Sequence, residues 1–518
     1  MSPRPTAAPH VTVSTRYGPV RGERRATGVR FLGIPYARPP VGPLRFAAPV
    51  PPEPWTDVRD ATAYGPTAQR RPFAEVTTIP EPSVPGEGTL NLNVFTPDPD
   101  PAARLPVLVW IHGGGFVAGS AASPWYDGAA FNRDGVVLVS VGYRLGIEGF
   151  LHLPDAPDNR GVRDWTAALE WVRDSIDRFG GDPGKVTVAG QSAGGGAVQT
   201  LLATPAARGL FRAAVSVSGA VMHPQGRAVA EAVTRLFTER TGLPATAAAL
   251  RGLPDGALLA HQDALTAPGG ARDGLPMLLL APFADGELIP RAVPDALAAG
   301  DTCADVPLLA GCTAREFTGA GGPDVTEADV RALLASLGLD EKRARLFLDT
   351  YACHAGDPAA LWWQALTDTT FRAPALALAD AWAARGRPVW LYQFEWAAAA
   401  PGRPRLASHC VDLPFAFDLL GADGVTAALG QDPPQHLADA VHAAWVAFVR
   451  DLDPGAGWPR CTAQGRETML WDSEPRIQRD PLRPVREIWL RSAPSVPRAR
   501  SAPEAGPVPS EGAPRRRG

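Results

Sequence analysis

The chain has 518 residues, a formal charge of -4 and 45% apolar residues. That much apolar material supports a large core without disulfides, and the slight acidic balance gives no general attraction to nucleic acid or anionic lipid. Basic character is almost all arginine, with Lys185 and Lys342 the only lysines, a bias that reads as base composition rather than as a binding surface. The cysteines, Cys303, Cys312, Cys353, Cys410 and Cys461, are odd in number and form no C-x-x-C pair, so neither a disulfide framework nor a zinc site is expected.

The first ten residues lack the apolar stretch of a secretory signal. No segment approaches the ~20 apolar residues of a membrane span. The expectation is a soluble cytoplasmic protein with no membrane or nucleic-acid partner.

Along the chain, short apolar runs alternate with amphipathic helical stretches. Residues 107–111, 136–141, 186–188, 213–217, 306–309 and 389–394 read as buried strands. Continuous apolar runs this short suit a parallel sheet covered on both faces. Val162, Trp165, Leu169, Val172, Ile176 and Phe179 recur at spacings of three and four, which predicts a helix ended by Gly180, Gly181 and Pro183. Strand, helix and strand in that order imply an α/β sheet. Residues 225–300 and 320–385 are Ala/Leu-rich and mostly helical, as insertions that roof a site would be. They sit within a single expected domain over 1–490. Residues 491–518, rich in Pro, Ala, Ser and Arg, predict a disordered tail, and the arginine run 515–517 reads as a solvated end.

The strongest local signal is Gly190-Gln191-Ser192-Ala193-Gly194, after one strand and before a helix-compatible run. This is the context of a nucleophile elbow, where a tight turn lifts a serine hydroxyl to a helix N-terminus. The second is His112-Gly113-Gly114-Gly115-Phe116, directly after the strand at 107–111. Glycines there let backbone N–H groups approach a carbonyl oxygen that becomes negative during acyl transfer. Gly114, Gly115 and Ala193 are the expected donors, and His112 itself reads as structural. A phosphate loop would want a following lysine, and none is present.

A serine nucleophile needs a base, and the base an orienting carboxylate, in the chain order Ser, acid, His. His354, His436 and His442 lie on helical stretches. His409 falls in a loop after the strand at 389–394. Glu316 follows the end of the strand at 306–309 and is the favoured acid, ahead of Asp285 and Asp412.

These residues belong to a longer series. Phe31-Leu32-Gly33-Ile34-Pro35-Tyr36-Ala37, then Pro39-Pro40, Gly42 and Leu44-Arg45-Phe46, form one motif. Leu90-Asn91-Leu92-Asn93-Val94, Tyr143-Arg144-Leu145-Gly146 and Phe179-Gly180-Gly181-Asp182-Pro183 form others. In this order, with the elbow, they resemble the type-B carboxylesterases, which include bacterial para-nitrobenzyl esterases, animal carboxylesterases and cholinesterases. The resemblance implies an α/β-hydrolase fold, a central mostly parallel twisted sheet flanked by helices. It implies Ser192 as nucleophile, Glu316 as acid, and His409, followed by Asp412-Leu413-Pro414-Phe415, as base. It also implies Gly114, Gly115 and Ala193 as the oxyanion hole, and Ser218 with Asp412 as a pair behind the histidine. There are three departures. Gln191 replaces the family's Glu, Asp412 replaces a longer Glu, and Thr89 stands where many extracellular members have a disulfide cysteine.

The implied reaction is hydrolysis of a small-molecule carboxylic ester through an acyl-enzyme, with no metal or cofactor. One rival is capture of the acyl group by an internal hydroxyl or amine, giving a lactone or amide. The other is a non-catalytic binding relative, which the intact serine, histidine, acid and glycines disfavour. Phe116, Trp125, Phe283, Trp362 and Trp363 are either pocket aromatics or core.

Overall fold

The computed structural model describes residues 9–71, 79–219, 226–267, 275–300, 305–317, 325–399 and 405–490; the expected tail at 491–518 and Cys303 lie outside them. The strands are β1 (His10–Ser14), β2 (Pro19–Arg25), β3 (Gly28–Pro35), β4 (Arg59–Asp60), β5 (Asn91–Thr96), β6 (Leu105–Ile111) and β7 (Val137–Val141). They continue as β8 (Gly181–Gln191), β9 (Ala213–Val217), β10 (Leu308–Thr313), β11 (Val389–Phe394), β12 (Glu467–Trp471) and β13 (Arg476–Arg479). They form one sheet in the order β1-β2-β3-β5-β7-β6-β8-β9-β10-β11-β12-β13, with β4 beside β2.

From β7 to β12 every neighbour is parallel. The apolar runs explain this stretch, because helices cover both faces. Val107, Val109 and Ile111 enter one core, while Leu108 and Trp110 enter the other. The two ends of the sheet are antiparallel. Of these outer strands, β5 overlaps the Leu90-Asn91-Leu92-Asn93-Val94 motif, whereas the alternation of β1 and β2 gave no strand signal. In β2 (PVRGERR) only Val20 and Gly22 are buried, so charged residues dominate the pattern.

The helix expected after β7 spans Arg160–Ser175 and tightens into a 3-10 turn over Ile176–Phe179, ending on Gly180 at φ +81°. Pro183 does not mark a loop; it lies inside β8, near its start. β10 runs to Thr313, further than the apolar run suggested, so Glu316 stands three residues past its end. Helices Arg227–Thr241 and Asp255–Thr266, and then Glu327–Ser336, Glu341–Thr350, Pro358–Thr367 and Ala373–Ala384, follow β9 and β10.

The chain places β7 on one side of β6 and β8 on the other. At such a reversal the helices leave to opposite faces, and a crevice opens beyond the strand ends. Ile111 pairs with Gly190 there, so the residues after both strands meet at one point.

Candidate active site

Ser192 follows β8 and caps the helix Ala193–Leu202 with φ 59°, ψ −121°, a conformation that costs a non-glycine residue energy. Its neighbours explain how the turn closes. A Cβ on Gly190 would lie 2.3 Å from the Gly194 carbonyl oxygen, and one on Gly194 would lie 2.0 Å from the Ile111 carbonyl oxygen. The Ser192 N–H donates to the Val217 carbonyl at 2.9 Å, which fixes the turn against the end of β9. Ser192 is part-exposed, and its hydroxyl makes no hydrogen bond among the described residues.

The glycine loop packs on this turn. A Cβ on Gly113 would meet the Gln191 carbonyl at 2.8 Å and the Ser192 Cβ at 3.0 Å. Gly114 and Gly115 take φ 112° and 59°. Among the described residues, the N–H groups of Gly114, Gly115 and Ala193 donate to no protein acceptor. His112 is stacked 4.5 Å from Tyr143, and burial lowers its pKa to about 4, so it stays neutral and structural.

His409 and Glu316 meet: Nδ1 lies 2.5 Å from Glu316 Oε2. The other carboxylate oxygen accepts from Ser218 Oγ at 2.8 Å and from the Thr313 N–H at 2.7 Å. The acid is thus held by the ends of β9 and β10 and is almost completely buried. On the far side of the ring, Nε2 lies 3.1 Å from the Gln191 amide nitrogen, which also reaches Cys410 Sγ at 3.1 Å. A histidine whose Nδ1 proton sits on a buried carboxylate presents its Nε2 lone pair outward and can take a proton from a hydroxyl. Burial disfavours charge on this ring, but the Cys410 sulfur and the Glu316 carboxylate outweigh it and hold His409 above its ordinary range. Burial also pushes the Cys410 thiol up. It is therefore neutral near pH 7, and the carboxylate is the lasting source of the lift.

The expected pair behind the histidine is arranged differently. Ser218 touches the acid. Asp412 accepts from the Tyr392 hydroxyl at 3.1 Å, and its other oxygen is buried without a partner among the described residues. No hydrogen bond among the described residues joins Asp412 to Ser218 or to His409. Burial, with the Glu316 carboxylate nearby, raises Asp412 to about 7. Sequence reasoning missed Tyr392 as its partner and missed Phe371, whose ring lies 4.8 Å from that of His409. Nothing in the spacing of either residue marks it.

The remaining candidates lie elsewhere. Asp285 accepts from Asn159 and from the backbone N–H groups of Glu287 and Ile289. His354 meets Arg315, His436 the Ser473 carbonyl, and His442 Asp134. Phe116, Trp125 and Phe283 are core. Trp362 packs against a separate helical cluster, whereas Trp363 faces Phe317 at 6.1 Å. Among the described residues no group of His, Cys, Asp and Glu side chains is placed to hold a metal ion, and no helix is long and apolar enough to cross a membrane.

The architecture is that of the α/β-hydrolases. A solved para-nitrobenzyl esterase superimposes with a TM-score of 0.82 at 34% identity, covering 93% of this chain and 100% of that one. A carboxylesterase from Geobacillus stearothermophilus gives 0.81 at 33% identity, covering 92% and 99%. The carboxylesterase family model matches residues 9–489. The para-nitrobenzyl esterase of Bacillus subtilis is 37% identical over 91% of this chain and 97% of its own length. A phenmedipham hydrolase from Pseudarthrobacter oxydans is 34% identical over 88% and 94%. The chain belongs to the carboxylesterase family and is a carboxylic ester hydrolase.

Proposed function

We propose that the chain hydrolyses small-molecule carboxylic esters through an acyl-enzyme on Ser192. The observation that carries this reading is the 2.5 Å contact of His409 Nδ1 with the buried Glu316 carboxylate, at the strand ends where Ser192 caps its helix. His409 takes the Ser192 proton as the hydroxyl attacks the ester carbonyl. Glu316 holds the Nδ1 tautomer and stabilises the imidazolium. The free N–H groups of Gly114, Gly115 and Ala193 receive the oxyanion. The alcohol leaves with the proton from His409, and water activated by the same ring releases the acid. In the resting state His409 Nε2 is bonded to Gln191, so the serine hydroxyl has to displace that amide as substrate binds. Catalytic hydrogen bonds commonly tighten only in the loaded enzyme. No step in this sequence requires a metal or a cofactor. Cys312, Cys353, Cys410 and Cys461 are free thiols, which suits a reducing cytoplasm.

The test uses a para-nitrophenyl ester and a fluorophosphonate probe. Ser192→Ala and His409→Ala should each remove nearly all turnover, the double variant should be little worse, and only Ser192→Ala should lose the labelled peptide outright. Retention of more than about a tenth of kcat/KM in Ser192→Ala would overturn the assignment.

A further inference from the structure

With His409 as the base, as proposed above, what lies against its ring matters as well as what bonds its nitrogens. The helical run through Pro358–Thr367 and Ala373–Ala384 is interrupted by a π-turn at Asp368–Arg372, in which the Ala373 N–H reaches back to the Asp368 carbonyl. Such turns are rare and cluster at functional sites. This one is locked from below. Asp368 is fully buried and accepts from Gln364 at 2.9 Å, Arg372 at 2.7 Å, the Tyr351 hydroxyl at 2.6 Å and the Trp489 indole at 3.0 Å. Arg372 also donates to Gln393 at 3.0 Å, which ties the turn to β11.

Phe371 lies inside this locked turn. Its ring centroid is 4.8 Å from that of His409 with the planes 35° apart, closer to parallel than to edge-on. It also packs 5.3 Å from Phe317, the residue after Glu316. We propose that Phe371, fixed by the Asp368-anchored turn, is a positioning residue that stabilises the imidazolium form of His409 through its ring face. A cation within about 6 Å of an aromatic centroid is attracted by the ring's negative face. The neutral imidazole gains much less, so the ring favours the protonated state that forms as Ser192 attacks. The other groups around the histidine are the Glu316 carboxylate, the Cys410 thiol, Asp412 and the neutral Gln191. Cys312 packs against Phe371, and Asp368 and Arg372 neutralise each other within the same turn. Replacing Phe371 removes none of these groups.

The experiment uses the full chain. It follows the pH dependence of Ser192 labelling by a fluorophosphonate and of kcat/KM for para-nitrophenyl acetate, in wild type, Phe371→Leu, Phe371→Met and Phe371→Tyr. Loss of the ring should move the acidic limb to lower pH by about half a unit and lower the plateau rate by about threefold. Phe371→Tyr should restore both. Two ring-free variants are used so that poor folding of one does not decide the result. A wild-type limb in whichever ring-free variant is folded, with only KM altered, would make Phe371 a pocket wall and overturn the proposal. A wild-type protein that is not labelled at Ser192 would instead overturn the triad reading beneath it.

Discussion

The side-chain amide of Gln191 lies 3.1 Å from His409 Nε2, at the ring edge away from the Glu316 contact. A donor at that nitrogen stabilises the neutral imidazole, since the bond is lost when Nε2 gains a proton. A carboxylate in the same place would do the reverse and accept from the imidazolium. One screened charge at this range is worth on the order of 1 kcal/mol, near one pKa unit.

Gln191→Glu should therefore raise the pKa of His409 and move the acidic limb of kcat/KM to higher pH by about one unit, while Ser192 remains reactive to fluorophosphonate. The profile from about pH 5 to 9 covers the range in which a histidine titrates. Superimposable limbs would mean that residue 191 does not address the ring electrostatically.

Much of this site was legible because its chemistry is local in the chain. Gly190, Ser192 and Gly194 are close in sequence, and the turn they build depends on their own backbone clashes. The central strands were legible for a similar reason: burial on both faces leaves an unbroken apolar run. Of the partners that meet across long sequence separations, Glu316 and His409 were legible from their places after strand ends, but Phe371 and Tyr392 were not. Phe371 reaches His409 from a π-turn, which leaves no mark in a helical pattern. Tyr392 reads only as a strand residue until β11 brings it to Asp412. The edge strands, such as β1 and β2, stayed hidden because one face is wet and carries charge.

Gly194→Ala tests the local part of this reading. The added methyl would sit 2.0 Å from the Ile111 carbonyl oxygen and 2.9 Å from that of His112, both backbone atoms at the root of the glycine loop. The elbow and the loop have to part to admit it. A displacement of about 1 Å in a reacting group can cost 10²-fold, so kcat/KM should fall by about that factor while the far-UV spectrum stays native. Activity within a few fold of wild type would show that the turn tolerates a shift the geometry forbids.

Asp368→Asn tests the anchor beneath the π-turn. The variant keeps the shape but removes the only carboxylate paired with Arg372 among the described residues, a side chain that is 10% exposed against an Asp368 side chain that is 0% exposed. A buried cation left without its partner costs about 3–5 kcal/mol. Urea unfolding should show a midpoint lowered accordingly at unchanged slope. A loss within about 1 kcal/mol, the range of an exposed pair, would mean that water reaches the guanidinium and the anchor is weak.

Asp412 makes the clearest claim about pH. Burial and the Glu316 carboxylate raise its pKa to about 7, from an ordinary 3.8. Between these values the folded chain keeps the proton and the unfolded chain releases it. The folded state therefore binds more protons, and stability falls as pH rises through this window. Above the folded value the full cost of an ionised buried carboxylate is present, on the order of 4 kcal/mol. Asparagine has no proton to lose, and its amide fills the same volume beside Tyr392. Asp412→Asn should abolish this part of the decline, so that the variant gains on wild type steadily from pH 4 to 7. Unfolding free energies by urea titration at half-unit intervals measure the difference directly. A constant gap between the two proteins across that window would show that Asp412 is ionised throughout, with its unpartnered oxygen satisfied by a donor such as an ordered water.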